Sequence, residues 1–208
     1  MEASRAPVDS RRLEVPRIYA IADRDALGGE TALPAAVAAM AEAGVRWIQL
    51  RMKGASGAAV YTIAERCCRA LAGSGALLWL DDRADVAALL PVDGVHFGQR
   101  DLPPAAARPM LRSGTLIGAS AHDDAQVAAA DADPAVDVVA IGPVFATRSK
   151  RASDPVVGLD GVRAARQLTD KPLVAIGGID ETNLDAVLRA GADAVAVLSA
   201  ACRGDVIH

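Results

Sequence analysis

Hydroxyl and basic side chains occupy consecutive positions in the stretch GPVFATRSK, residues 142–150. They follow an apolar run directly and comprise Thr147, Arg148, Ser149 and Lys150. Hydroxyl, guanidinium and ammonium groups all donate hydrogen bonds to anions, and the two cations add charge. The stretch therefore predicts an anion-binding site, to which other polar residues of the chain could contribute.

A second set of polar residues, Gln49, Arg51 and Lys53, alternates with apolar residues at the end of another apolar run. Successive side chains of a strand point to opposite faces, so these three share one face. That face could line an anion site or carry ordinary solvated charges. Lys150, at the end of a different run, favours the anion site, because separate cations around one rim converge on a common anion.

Two acids, Asp82 and Asp101, follow two successive apolar runs. Mg²⁺ is usually held by one or two carboxylates, with water and phosphate oxygens completing the octahedron. Alternatively, Asp82 caps a helix that begins in DDRADV, where an acid is favourable. Capping is the better interpretation of Asp82 alone, whereas the pair beside the cations favours a metal site.

His122 comes shortly after Ser120, which ends a further apolar run. A histidine there could act as a general acid or base. It could equally lie in the first turn of a helix formed by HDDAQVAAA. Both interpretations of His122 remain open.

The elements that must position these residues are short apolar runs bounded by turn or acidic residues. Several are apolar at successive positions, which is typical of strands covered on both faces in a parallel sheet. The eight runs are residues 17–22, 46–51, 76–81, 94–98, 115–120, 136–142, 172–178 and 194–200.

Alanine- and leucine-rich stretches with helical spacing lie between the runs. They include residues 33–44, 58–73 and 181–192, which contain or end at Gly44, Gly73 and Gly191. Repeated strand and helix units predict a single-domain α/β (β/α)₈ TIM barrel. The alternative, an open doubly wound sheet, usually has fewer strands and a glycine-rich first turn, which IADRDALGG does not supply.

The barrel domain is predicted to span residues 17–208, with residues 1–16 as an N-terminal segment that could be flexible. Only CRGDVIH remains after the eighth strand. The eighth helix is therefore expected to be missing or truncated. The N-terminal segment, or a second subunit of a homo-oligomer, could cover that face.

Composition excludes several classes of partner. The 208 residues are 52% hydrophobic and carry a net charge of -4, which supports one large core and argues against a nucleic-acid partner. No apolar stretch approaches the ~18 residues of a membrane span, and the charged N-terminus does not resemble a secretory signal. We expect a cytoplasmic protein with no membrane partner.

In a (β/α)₈ barrel the chemistry gathers at the C-terminal ends of the strands, where the polar residues above would meet. Gly177 and Gly178 end the seventh run, and Ser199 lies in the eighth. Many barrels bind a phosphate on backbone N–H groups at this location. The location favours a phosphate site over simple turn chemistry.

The motifs together resemble thiamine phosphate synthases, from the first strand to the eighth. The resemblance is carried by QLRMK, DDRADVA, DGVHFGQRDLP, IGASAH, GPVFATRSK, VVGLDG, VAIGGI and VLSA. It implies a barrel enzyme whose partners are small phosphorylated heterocycles. Such an enzyme couples an aminopyrimidine methyl pyrophosphate with a thiazole phosphate in the presence of Mg²⁺ and releases pyrophosphate.

The resemblance also implies residue roles. Gln49, Arg51 and Lys53 match the strand that binds pyrimidine and pyrophosphate, and Asp82 and Asp101 match the magnesium ligands. The remaining implied substrate contacts are Asp81, His96, Ser120, Thr147, Ser149, Lys150, Gly178 and Ser199. The expected catalytic groups are Arg51, Ser120, His122 and Lys150.

The sequence departs from the family where Asp81 replaces the usual asparagine and Ala146 the usual proline. An ionised aspartate only accepts hydrogen bonds, so Asp81 would repel a phosphate unless a metal intervenes or the acid is protonated. Two alternatives therefore stay open. One is a metal-independent thiazole tautomerase that uses His122, and the other is a non-catalytic regulatory barrel. Asp101 favours the synthase.

Overall fold

Eight parallel strands close into a barrel in the computed structural model, which describes residues 14–147 and 155–198. Each strand pairs with the next along the chain, and the first pairs with the eighth. The strands are β1 (Ile18–Asp23), β2 (Trp47–Arg51), β3 (Leu77–Asp81), β4 (Gly94–Phe97), β5 (Leu116–Ala121), β6 (Val138–Ile141), β7 (Leu173–Ile176) and β8 (Ala194–Val197). The predicted barrel is confirmed and the open sheet is wrong.

Helices connect the strands on the outside of the barrel. They are α1 (Leu33–Glu42), α2 (Gly57–Ala70), α3 (Ala84–Ala87), α4 (Pro104–Ala107), α5 (Asp124–Ala132), α6 (Gly158–Leu168) and α7 (Leu184–Arg189), with 3₁₀ turns at Glu30–Ala32 and Arg108–Met110. Helix α1 ends beside Gly44, whose φ of 94° lies in the left-handed region that glycine adopts without strain. The region predicted to lack an eighth helix, and residues 1–13, lie outside the described residues.

Three aromatic side chains fill the interior of the barrel. The ring centroids of Tyr19, Trp47 and Trp79 lie 5.1–5.6 Å apart, and all three residues are buried. Gly94 makes room for this packing, because a Cβ there would lie 2.4 Å from the Trp79 ring. The Tyr19 hydroxyl accepts a hydrogen bond from Gln49 Nε2 at 3.0 Å, where the aromatic packing meets polar residues.

A second apolar layer lies between the strands and the surrounding helices. Val37 and Met40 of α1, with Val60 and Ile63 of α2, are buried against it. No helix in the described part of the chain is long and apolar enough to cross a membrane. The cytoplasmic location stays a prediction.

Candidate active site

A cleft of about 760 Å³ opens at the C-terminal ends of the strands. Eleven of the residues singled out from the sequence line it: Gln49, Arg51, Lys53, Asp81, Asp82, His96, Asp101, Ser120, His122, Thr147 and Gly178. The other three, Ser149, Lys150 and Ser199, lie outside the described residues. Side chains from widely separated parts of the sequence are therefore brought to one rim.

The three polar residues of β2 and its loop share one face, as their alternation predicts. Gln49 is only 4% exposed, and the Arg51 side chain is 20% exposed, so neither is a solvated surface residue. Arg51 Nη1 forms an ion pair with Asp23 Oδ2. Lys53 Nζ, which is more exposed, forms one with Asp82 Oδ2. Arg51 and Lys53 are therefore both paired with carboxylates of the protein.

Asp82 has a φ of 64°, the only positive value among the described non-glycine residues. Aspartate tolerates this left-handed conformation better than most residues, and such backbone geometry is concentrated at functional sites. Helix α3 is preceded by Arg83 and has no side-chain cap hydrogen bond. The alternative that Asp82 caps this helix is therefore wrong, and its carboxylate contacts Lys53 instead.

Asp82 and Asp101 contact each other across the cleft through their carboxyl groups. Burial, then the charge of Asp81, raises the pKa of Asp82 to about 6, although Lys53 opposes this. Burial also acts to raise the pKa of Asp101, but hydrogen bonds from Asp82 and the Gly98 N–H bring it below its usual value. The pair therefore keeps one proton up to a pH near 6, whereas the ordinary pKa of an aspartate is 3.8.

This carboxylate pair fits a magnesium ion. Two acids that share a proton can instead be neutralised by a divalent cation, and Mg²⁺ needs few protein ligands because water and phosphate oxygens supply the rest. Among the described residues, no group of three or more His, Cys, Asp or Glu side chains is arranged to hold a metal. Asp82 and Asp101 could therefore hold Mg²⁺ only together with water or other oxygen ligands.

We expect Asp82→Asn to stabilise the metal-free protein above pH 6. The folded pKa near 6 exceeds the ordinary 3.8, so the native state binds this proton more tightly than the unfolded chain. The penalty for ionising Asp82 is absent below about pH 4 and is fully developed above about pH 6. Asparagine mimics the neutral acid and avoids that penalty.

Urea unfolding of both proteins between pH 4 and pH 7, without divalent cations, measures this difference. The stability advantage of Asp82→Asn should grow as pH rises. The same substitution at exposed Asp124 controls for the loss of one negative charge. An advantage that stays constant across the range would contradict the assignment.

Asp81 lies between Arg51 of β2 and Lys53 of the loop that follows β2. Its side chain is 10% exposed, and Oδ2 lies 3.2 Å from Lys53 Nζ and 3.5 Å from Arg51 Nε. This buried oxygen accepts no hydrogen bond of good geometry from the described residues. Burial raises the pKa of Asp81 above its usual value, while Lys53 and Arg51 oppose the rise. The two cations therefore compensate its negative charge only in part.

Two histidines are held by hydrogen bonds at the next strand ends. His96 Nε2 lies 2.8 Å from Ser120 Oγ, and Gln99 Nε2 donates to the Ser120 carbonyl at 2.5 Å. These contacts fix Ser120 at the rim. His122 Nδ1 lies 2.5 Å from the Gly142 carbonyl oxygen. His122 precedes Asp123, the N-cap of α5, so it lies before the helix rather than in its first turn.

The two glycines after β7 hold the loop that follows β6. A Cβ on Gly177 would lie 2.6 Å from Pro143 Cβ, and one on Gly178 would lie 2.8 Å from the Ala146 carbonyl oxygen. The Phe145 N–H also donates to the Gly177 carbonyl at 2.9 Å. The phosphate site predicted here from the sequence stays a prediction, and the close approach observed is that of the loop carrying Thr147.

Several residues of the cleft were missed from the sequence. Asp23, beside the cleft, forms the ion pair with Arg51, while Tyr19 and Asp180 line the cleft. Asp23 could have been found, because it directly follows the first apolar run, as Asp82 follows the third. Tyr19 lies inside an apolar run and gives no such signal.

Comparisons with known proteins agree with this geometry. Residues 18–201 match the family model described as thiamine monophosphate synthase. The chain is 46% identical to the thiamine-phosphate synthase of Koribacter versatilis over 190 residues, covering 90% of this chain and 89% of that protein. It is 42% identical to that of Acidothermus cellulolyticus over 185 residues, covering 88% and 86%.

A solved structure is also similar. Thiamine phosphate pyrophosphorylase from Pyrococcus furiosus superposes with a TM-score of 0.81 at 33% identity. The match covers 92% of this chain and 90% of that one. Similarity at this level extends over the whole barrel rather than one motif.

Proposed function

Because this chain belongs to the thiamine monophosphate synthase family, we propose that it is a Mg²⁺-dependent thiamine phosphate synthase. Membership confirms the resemblance drawn from the motifs, and the chain is a transferase that couples a pyrimidine with a thiazole. The proposed substrates are 4-amino-2-methyl-5-pyrimidinylmethyl diphosphate and a thiazole phosphate. The proposed products are thiamine phosphate and pyrophosphate.

One observation carries the proposal: Arg51 and Lys53 share a cleft with Asp82 and Asp101. Cations are needed for a diphosphate, and a carboxylate pair is needed for the ion that accompanies it. Groups of both signs within one cleft support a substrate that is bound with a divalent metal.

The proposed reaction is dissociative. The C–O bond to pyrophosphate breaks early and leaves a cation on the pyrimidine methylene, which the ring amino group stabilises. The thiazole nitrogen then donates its electron pair to the methylene carbon and forms the new C–N bond. Negative charge grows on the departing pyrophosphate, so donors placed there stabilise the transition state more than the ground state.

The side chains divide these tasks. Arg51, Lys53 and Ser120 are proposed to donate to the pyrophosphate, with Thr147 and the following Ser149 and Lys150. Gln49 and His96 would contact the pyrimidine end of the cleft. The thiazole phosphate would bind near Gly178 and Ser199.

Asp82 and Asp101 would hold the magnesium ion. When bound, Mg²⁺ supplies positive charge that offsets the charge on the pyrophosphate oxygens. The ring contacts of Tyr19 close the cleft beneath Gln49, which excludes water from that side. Exclusion of water strengthens every electrostatic interaction of the side chains inside the cleft.

The coupling assay tests the proposal. Purified protein given both substrates and Mg²⁺ should release pyrophosphate and form thiamine phosphate, and EDTA should stop the reaction. Turnover that EDTA leaves unchanged would remove the metal assignment. Conversion between thiazole tautomers without coupling would select a tautomerase that uses His122. Ligand binding with neither reaction would select a regulatory barrel.

Asp81→Asn should preserve or raise the synthase activity. Asparagine keeps the size of the side chain, removes a negative charge beside Arg51 and Lys53, and can donate a hydrogen bond to a phosphate oxygen. Steady-state kinetics with the pyrimidine diphosphate as the varied substrate measure the effect. A loss of more than about tenfold, or 1.4 kcal/mol, would mean that the acid itself is required.

A further inference from the structure

Asp23 is the most buried carboxylate in the described part of the chain, with 5% of its surface exposed. It is the last residue of β1, and the parallel register places it beside Arg51 of β2. The proposed reaction assigns no role to Asp23. A buried charge is unfavourable unless it is paired and hydrogen-bonded. The burial of this acid beside the cleft therefore needs a physical explanation.

The chain after β1 turns around one oxygen of this carboxylate. Asp23 Oδ1 accepts hydrogen bonds from the N–H groups of Asp25 at 3.1 Å and Ala26 at 2.9 Å. These two bonds fix the plane of the carboxylate. The other oxygen, Oδ2, is thereby directed at Arg51 Nη1, with which it forms an ion pair.

Arg51 is consequently held from two sides. Asp23 on β1 binds Nη1, and Asp81 on β3 lies 3.5 Å from Nε. An arginine side chain has large conformational freedom, and fixing such a flexible side chain when a ligand binds is unfavourable. Two acids on neighbouring strands remove most of that freedom before a ligand arrives. Of the two, Asp23 is itself anchored by backbone hydrogen bonds.

We propose that Asp23 is a positioning residue, which aims the Arg51 guanidinium at the departing pyrophosphate. The inference rests on the proposed function, since it takes the ligand of Arg51 to be a diphosphate. Asp23 does not touch the substrate and acts only through Arg51. Its own charge opposes the binding of an anion, so its value to the site lies in geometry and not in electrostatic attraction.

This opposition gives the proposal a signature. Neutralising Asp23 removes a repulsion and would, by charge alone, strengthen the binding of pyrophosphate. Loss of the ion pair also lets Arg51 swing away, and misplacement of a binding group by about 1 Å can lower a rate about 100-fold. Asp23→Asn should therefore weaken the site when Arg51 is present, and should leave it unchanged or improve it when Arg51 is absent.

A double-mutant cycle tests this. Asp23→Asn, Arg51→Gln and the double variant are compared with the wild type by kcat/KM for the pyrimidine diphosphate. The affinity for inorganic pyrophosphate with Mg²⁺, measured by calorimetry, is a second readout that does not require turnover. Asp25→Asn is the matched control, because it makes the same charge change two residues away and Asp25 reaches Asp23 only through its backbone N–H.

We expect Asp23→Asn to lower kcat/KM about 10–100-fold in the wild-type background and less than about twofold in the Arg51→Gln background. Equal losses in both backgrounds would show that Asp23 supports the fold independently of Arg51 and would overturn the proposal. No loss in the wild-type background would overturn it as well. If Asp23→Asn does not fold, Asp23→Ser, which keeps a hydroxyl acceptor for the loop, is judged by the same comparison.

The two readouts separate this inference from the proposed function. A wild-type protein that catalyses coupling, with additive effects of the two substitutions, leaves the synthase standing and removes the role of Asp23. A protein that catalyses no coupling, but whose pyrophosphate affinity shows the non-additive pattern, removes the synthase and keeps the Asp23–Arg51 unit as an anion site.

Discussion

Arg51→Gln should lower kcat for the coupling reaction about 10²–10³-fold, which is the usual effect of removing one donor aimed at a developing negative charge. The guanidinium of Arg51 is held at the rim by Asp23 and Asp81, within reach of the cleft that Lys53 and Ser120 also line. Glutamine keeps part of the side-chain length and a hydrogen-bond donor. It loses the charge and the fork of donors that matches phosphate oxygens.

Stopped-flow or steady-state measurement of pyrophosphate release gives kcat for the wild type and for Arg51→Gln. Arg163→Gln is the control, because Arg163 forms an exposed ion pair with Asp160 on α6 and lies outside the cleft. Circular dichroism establishes that Arg51→Gln is folded, which matters because the substitution leaves Asp23 without its cation and Asp81 with Lys53 alone. A folded variant with less than about threefold loss would contradict the placement of Arg51 at the leaving group.

Asp101→Asn should lower the activity at least about 100-fold and weaken divalent-ion binding, since even partners that only orient a metal ligand typically contribute 10–100-fold. Asparagine can still accept the hydrogen bond that the Gly98 N–H donates to Oδ2 at 2.8 Å. Its amide group can donate to Asp82. The loop should therefore keep its conformation while the site loses a negative charge.

Titration with Mn²⁺, followed by electron paramagnetic resonance with and without pyrophosphate, measures binding separately from turnover. Asp124→Asn, an exposed acid in the first turn of α5, is the control. Unchanged Mn²⁺ affinity in Asp101→Asn would remove this acid from the metal site. Recovery of activity at high Mg²⁺ concentration would support a metal role over a purely structural one.

The strand ends, and therefore the rim, could be predicted from sequence. Each of the eight predicted runs overlaps an observed strand and differs from it by a few residues at either end, because strands buried on both faces leave nearly continuous apolar runs. Once closure into a barrel was inferred, the polar residue after each run had to face the C-terminal rim. Lys53, Asp82 and Asp101 could be assigned to one cleft by this rule alone.

The family could also be recognised from sequence, because its motifs sit at those same strand ends. Segments such as QLRMK and GPVFATRSK resemble the family's motifs in the types of their residues and in the spacing between them. Local segments of this kind are visible without knowing which other segments they contact.

The pairing of charges inside the cleft was decided only by the tertiary structure. Asp23 and Arg51 are 28 positions apart, and only the register of β1 with β2 puts them side by side. The raised pKa of Asp82 depends on its burial and on Asp81, Asp101 and Lys53 together. This pKa could not be predicted from a local sequence pattern, because it combines the effects of residues on several elements of the fold.

The role of Gly177 shows the same division. The sequence predicted a phosphate site at this position, but it did not reveal that Pro143 packs closely against Gly177. Sequence determined where the strands run and which side chains reach the rim, because both follow from local periodicity and chain direction. The structure decided which of those side chains neutralise, orient or exclude one another, because those effects depend on distances between residues far apart in the chain.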